Sequence, residues 1–225
     1  MQRTRREAKA PAMALRDFTS AFRRPSFPAV LLLICAVAAG AVLLLGGEQN
    51  EKPPRPSAAQ ALLPSVHPTT RGLPPADPVR IRIAAIGVDA PMTPLGLDAA
   101  GTLQTPPRDK ADVAGWYGDG TTPGSAGTAI VAGHVDTPTG APGVFYNLGA
   151  LTKGATIEIS RVDRKTAVFT VRAVELYERE KFPSKKVYGS TGRPELRLIT
   201  CGGDYVKGTG YLGNIVVYAA LTAVT

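Results

Sequence analysis

The sequence predicts an all-β domain, a sandwich or a barrel, carried behind one N-terminal membrane-spanning helix. Three observations lead there. Beyond residue 78, short alternating apolar runs recur, punctuated by Gly, Pro and Asp. No segment in that part holds a long helical period. Near the N-terminus, Phe27 to Gly47 carries no charge, and Ala29 to Leu45 is almost wholly apolar.

The apolar run comes first in the chain. Its 21 residues, at about 1.5 Å rise each, span ~30 Å, the thickness of a bilayer's hydrocarbon core. The 225-residue chain has a formal net charge of +8, which by itself hints at nucleic acid. The location of the charge argues otherwise. Arg3, Arg5, Arg6, Lys9, Arg16, Arg23 and Arg24 stand against Glu7 and Asp17, so residues 1–26 hold +5 and the other 199 only +3. A basic tail beside an apolar run fits the positive-inside rule, with the tail in the cytoplasm and the rest exported, and no nucleic-acid partner is expected. The competing reading is a cleaved signal peptide. Its apolar region would be unusually long, and the nearest small-residue site, Ala59-Gln-Ala61, lies too far downstream. Cys35 falls inside the span and is expected to face lipid or another helix.

Residues 48–77 read as an extracytoplasmic linker, with Pro78 closing a stretch that also holds Pro53, Pro54, Pro56, Pro64, Pro68, Pro74 and Pro75. Such a stretch buries too little to offset its ordering entropy, so it is expected to act as an extended spacer. His67 lies in it and is expected to be solvated.

From residue 78 to 225 the composition changes to that of a folded domain. Val79-Arg-Ile-Arg-Ile83 alternates strictly, as a half-buried strand does. Thr128-Ala-Ile-Val-Ala132 is a short apolar run beside glycine. Thr156 to Ile159 and Ala167 to Leu176 read as neighbouring strands around a turn at Asp163-Arg164. Leu196 to Ile199 and Asn214 to Ala219 complete the set. This length supports one good core without disulfides.

Cys201 is the residue that points to chemistry. It closes the run Glu195-Leu-Arg-Leu-Ile-Thr-Cys201-Gly-Gly203 and is the only cysteine beyond the apolar segment. No intramolecular disulfide is open to it there. A free thiol is a weak nucleophile at neutral pH unless a base or a cation adjusts it. The only histidine beyond the linker is His134, in Ala132-Gly-His134-Val-Asp136. Both residues follow an apolar strand and sit beside glycine, so both are expected at strand ends on one rim. Asp136 reads either as a residue orienting His134 or as a turn residue. Trp116 and Tyr117 read as packing. No Cys/His/Asp/Glu cluster has metal-ligand spacing and no phosphate-binding glycine fingerprint occurs, so no cofactor or metal is expected.

These residues resemble a known family. The domain from about 78 to 221 is similar to the sortases, membrane-anchored cysteine transpeptidases of Gram-positive bacteria. The cysteine signature is met by Leu198-Ile-Thr-Cys201, with Leu where the family commonly has Thr. The histidine signature is met by Gly133-His134-Val-Asp136. The stretches Ile86-Gly-Val88, Leu95-Gly-Leu-Asp98, Ala114-Gly-Trp-Tyr117, Pro123-Gly124, Phe182-Pro183 and Val187-Tyr188-Gly189 follow in the expected order. Together they look most like the actinobacterial class E/F enzymes, closer to F.

The resemblance implies a closed eight-stranded β-barrel with short helices or 3-10 turns. It implies that Cys201 attacks a backbone carbonyl in a Leu-Pro-x-Thr-Gly-like sorting signal at the C-terminus of a secreted protein. His134 would protonate the leaving amine, and an amine of a peptidoglycan precursor would resolve the thioacyl enzyme. Thr200 would serve the substrate site through its hydroxyl or backbone amide. Gly202 and Gly203 would make a tight turn after the thiol. One departure stands out. Sortases commonly carry an arginine on the last strand, and Gly210-Tyr-Leu-Gly-Asn214-Ile-Val-Val217 has none. Asn214 occupies the equivalent position, where its amide can donate to an oxyanion but brings no charge. Arg197 falls on the same strand face as Cys201 by alternation and reads as a solvated barrel-exterior residue. The alternative function is a non-catalytic barrel kept as a wall-associated peptide-binding module. A cell-wall transpeptidase of the L,D type is disfavoured, because there Ser-His-Gly-Cys usually stand together.

Overall fold

A computed structural model of the chain describes residues 52–61 and 70–225. The expected basic tail and membrane helix, with Cys35, and His67 of the linker lie outside these residues.

Eight strands close into a barrel: β1 (Pro78–Ile83), β2 (Val88–Leu95), β3 (Ala114–Tyr117), β4 (Gly127–Ala132), β5 (Thr156–Arg161), β6 (Thr166–Glu178), β7 (Pro194–Val206) and β8 (Gly210–Val224). Their order around the barrel is β1-β2-β3-β4-β7-β8-β6-β5, and β5 pairs back onto β1. Closure removes the exposed edges that an open sheet would present. β2–β3 and β4–β7 pair in parallel, and the other neighbours are antiparallel.

Six of these strands follow from short apolar runs, alternating or continuous. β2 and β3 do not. β2 carries Asp89, Pro91 and Pro94, and β3 is four residues long with Gly115 in it. Proline removes a ladder donor and normally argues against a strand. Here β2 is held by β1 on one side and by β3 on the other.

The barrel is filled by Ile81, Ile83, Ile157, Ile159, Phe169, Leu196, Leu198 and Val217, all buried. Trp116 joins them, as its packing role implies. The turn between β5 and β6 holds Arg164 at φ 64°, in the left-handed region. Arg161 is buried and donates to the carbonyls of Pro123 and Pro74 at 2.7 and 2.5 Å while pairing with Asp163 at 3.0 Å. That places Pro74 on the barrel. Leu73 also packs against the core, and its N–H donates to Gly124 O at 2.8 Å. The end of the proline-rich stretch is therefore part of the packed structure. So is its earlier part: Lys153 N–H donates to Gln60 Oε1 at 2.9 Å, and Arg55 meets Asp204 at 2.5 Å.

One part of the outer barrel surface is also covered. Between β6 and β7 the chain makes a 3-10 turn at Arg179–Lys181 and a short helix, α1 (Ser184–Tyr188). Val187 of α1 packs on Ala173, Val216 and Tyr218, with Tyr177, Phe182 and Ile199 around them. This second, smaller core lies on the strand face that carries Cys201.

Candidate active site

The parallel β4–β7 ladder builds the site. Its register pairs Ala132 with Ile199. One step further, Gly133 N–H donates to Ile199 O at 3.1 Å, and the Thr200 hydroxyl donates to Gly133 O at 2.8 Å. His134 and Cys201 are the next residues on the two chains. A sequence separation of 67 residues thus becomes a neighbouring position at one end of two parallel strands. Parallel neighbours run in the same direction, so the residues that follow the last β4–β7 pair lie on the same side of it.

Thr200 is buried, 3% exposed. Its hydroxyl is committed to the Gly133 carbonyl, so it ties the two segments together from the barrel side. Cys201, on the opposite strand face, is exposed.

Cys201 is not at the end of its strand, which corrects the sequence expectation. β7 continues to Val206, and the hairpin turns at Lys207–Thr209. The glycines after Cys201 make a bulge rather than a turn: the β7–β8 register shifts between Gly202 and Tyr205, and Gly203 takes φ +87°. Gly202 has a packing reason as well. A Cβ there would lie 2.7 Å from the Ile215 side chain.

Asn214 stands directly opposite Cys201 across the antiparallel β7–β8 ladder and opposite Tyr177 on β6. Directly paired residues point to the same sheet face. Asn214 is half-buried there. Arg197 shares this face, as alternation requires, but it is not solvated. It is 6% exposed, because α1 covers this part of the surface. Its Nη2 pairs with Glu195 at 2.7 Å, its Nη1 donates to Leu196 O at 3.2 Å, and its guanidinium stacks on the Tyr218 ring at 4.6 Å. Its buried Nε finds no partner among the described residues. Arg197 is therefore locked away from the thiol.

The His134 ring is held from the other side. Its Nε2 lies 2.6 Å from Pro106 O. A carbonyl only accepts, so Nε2 carries the proton and Nδ1 is the nitrogen left to exchange one. Asp136 accepts a hydrogen bond from the Tyr211 hydroxyl at 2.6 Å. The strand pattern gave no signal for Tyr211, Arg179 or Arg108, since they come from a hairpin and two loops. Arg179 lies 22 residues before Cys201 in sequence. Its Nη2 donates to the Tyr211 carbonyl.

The electrostatics of the thiol follow from these neighbours. Although the residue reaches solvent, surrounding protein displaces part of the water near the thiol, and this desolvation is the largest influence pushing the Cys201 pKa up; Asp136 pushes it the same way, while Arg179 and Arg108 pull it down. Burial, with the hydrogen bond to Asp136, also raises the Tyr211 phenol. The balance of these influences raises the Cys201 thiol above its ordinary value.

A model of the sortase domain matches residues 81–222. Among solved structures, the chain is similar to sortase A of Listeria monocytogenes at 18% identity, covering 67% of this chain and 90% of that one with a TM-score of 0.48. SrtA sortase of Actinomyces oris matches at 18% identity over 76% and 90% of the two chains, with a TM-score of 0.48. A lid mutant of Corynebacterium diphtheriae sortase A matches at 20% identity over 68% and 73%, with a TM-score of 0.49. A comparison with curated proteins finds no match.

Proposed function

The chain belongs to the sortase family, and on that premise we propose that it is a membrane-anchored transpeptidase with Cys201 as its nucleophile. The observation that carries this reading is the parallel β4–β7 ladder, clamped by Thr200 on Gly133. The residues that follow this clamp on the two chains are His134, the only histidine beyond the linker, and Cys201, which is exposed.

The chemistry runs through the chain's own residues. The Cys201 thiol passes its proton to His134 Nδ1, and the resulting thiolate attacks the carbonyl carbon of the scissile peptide bond in a Leu-Pro-x-Thr-Gly-like signal. The C–N bond breaks, and the leaving amine takes a proton from the His134 imidazolium at Nδ1, giving a thioester. An acceptor amine then attacks the thioester carbon. Its proton passes to His134 Nδ1, and the C–S bond breaks to return the thiolate. In both tetrahedral intermediates the oxyanion needs a donor, and the Asn214 amide, opposite Cys201, fills that role. Thr200 serves by holding the histidine segment against the cysteine strand.

The acceptor is a peptidoglycan-precursor amine, and the donors are secreted proteins with such a signal. The ordered set of matching stretches across residues 78–221 favours class E/F, closer to F. Residues 27–47 anchor the protein in the cell membrane, with residues 1–26 cytoplasmic and residues 78–225 extracellular. Protease treatment of intact protoplasts should then digest the domain and spare the tail. The decisive experiment is intact-mass analysis of the purified domain with a Leu-Pro-x-Thr-Gly peptide, with and without candidate amines. An acyl adduct on Cys201 that an added amine discharges supports the reading. No adduct with any sorting peptide would favour the non-catalytic alternative.

A further inference from the structure

Three strands bring one arginine to the thiol's end of the barrel. Cys201, Asn214 and Tyr177 are paired across β7, β8 and β6, and the next step pairs Gly202, Gly213 and Glu178. Arg179 follows immediately. Its side chain crosses to β8 and donates through Nη2 to the carbonyl of Tyr211, three residues before Asn214. Tyr211 in turn reaches the other side of the site, donating its hydroxyl to Asp136, two residues past His134. Arg179 is exposed, and its remaining donors have no partner among the described residues. Arg197, the nearest arginine in sequence, is instead held by Glu195, Leu196 O and the Tyr218 ring.

We propose that Arg179 supplies the positive charge of the reaction centre, favouring the Cys201 thiolate before attack and the carbonyl oxyanion after it, from the end of β6 rather than from β8. The proposal rests on the transpeptidase reading for its second half. The first half, the effect on the thiolate, stands on the protein alone. A guanidinium keeps its charge at every pH where a thiol titrates, and its forked donors suit an oxyanion. The other ionisable groups around the thiol are His134 and Asp136 after β4, Arg108 from the loop between β2 and β3, and Tyr211 on β8. Of the charges acting on the thiol, Arg108 works with Arg179 and Asp136 opposes both. The carbonyl of Tyr211 fixes where the Arg179 head sits, which reduces the ordering needed when substrate arrives.

Two measurements on the purified domain test the two halves separately. Iodoacetamide alkylation of Cys201 against pH reports the thiolate and requires no turnover. Arg179→Gln is expected to move its midpoint to higher pH, and Arg179→Lys to keep it near wild type. Arg80→Gln, on the opposite side of the barrel, removes the same charge as a control and is expected to leave the midpoint in place. Acyl transfer from a sorting peptide reports the oxyanion. Arg179→Gln is expected to lose ~10²-fold in kcat, the typical effect of one removed oxyanion donor, with Arg179→Lys intermediate. An Arg179→Gln midpoint equal to wild type, or matched by Arg80→Gln, overturns the proposal. So does an unchanged kcat. An Arg179→Gln alkylation shift found together with no acyl adduct on the wild-type protein refutes the transpeptidase reading and leaves the electrostatic assignment standing.

Discussion

Asn214 faces Cys201 across the β7–β8 ladder, on the same side of the sheet. The pairing puts the Asn214 amide opposite the Cys201 thiol at a place fixed by strand register rather than by a loop. In the proposed reaction Asn214 would offer the oxyanion a hydrogen bond without charge, and Arg179 would add positive charge from another strand end.

Asn214→Ala is expected to reduce acyl transfer by ~10²–10³ while leaving the barrel folded. Peptide-cleavage kinetics and a circular-dichroism melt check both parts. Asn214→Arg is the more informative change: it should preserve or raise turnover and shift Cys201 alkylation to lower pH.

Thr200→Val keeps the side-chain shape but removes the donor to Gly133 O. A buried acceptor left without its partner costs about 1–3 kcal/mol. Urea unfolding should show that loss. Turnover should also fall, because the clamp between the histidine segment and the cysteine strand is gone. Full activity with full stability would refute the clamp.

Asp136 pushes the Cys201 thiol up. Asp136→Asn should therefore lower the thiol pKa and move the alkylation midpoint to lower pH. The same change weakens the hold on the Tyr211 hydroxyl. A midpoint that stays put or moves upward would contradict an unfavourable carboxylate–thiolate interaction.

Glu195 and Arg197 are both buried and pair at 2.7 Å. Glu195→Gln leaves the guanidinium buried without its counter-charge. Breaking a buried pair from one side typically costs roughly 3–5 kcal/mol. Denaturant titration should show a loss of that size, with Cys201 alkylation little changed.

Alkaline stability has a defined window. Tyr177 donates to Glu175 and shares a 3.0 Å contact with the Tyr218 hydroxyl. Burial, then the Glu175 hydrogen bond, pushes its pKa up to about 12. The folded pKa lies above the ordinary tyrosine value, so the associated stability is complete below about pH 10 and is lost as pH rises toward about 12. Urea midpoints measured across that window should fall more steeply for wild type than for Tyr177→Phe.

Local pattern in the chain was enough for the all-β class and for six of the eight strands, and it singled out the two residues on which the proposed chemistry depends. Each of these leaves a local mark: a period of two in apolar residues, or a reactive side chain with no rival in the folded part. β2 and β3 left no such mark, because Pro91, Pro94 and Gly115 obscure the pattern and partners distant in sequence hold those strands. How His134 and Cys201 come together depended on the closed barrel, through a parallel pairing of β4 with β7 that no local pattern encodes. The same holds for which arginine attends the thiol. Alternation put Arg197 on the right face, but whether a side chain on that face meets water or protein depends on what packs over it. There α1 covers Arg197, while Arg179 reaches the site from the end of another strand. Burial and charge at a point in space sum over every nearby element, so they emerge only once the strands have closed.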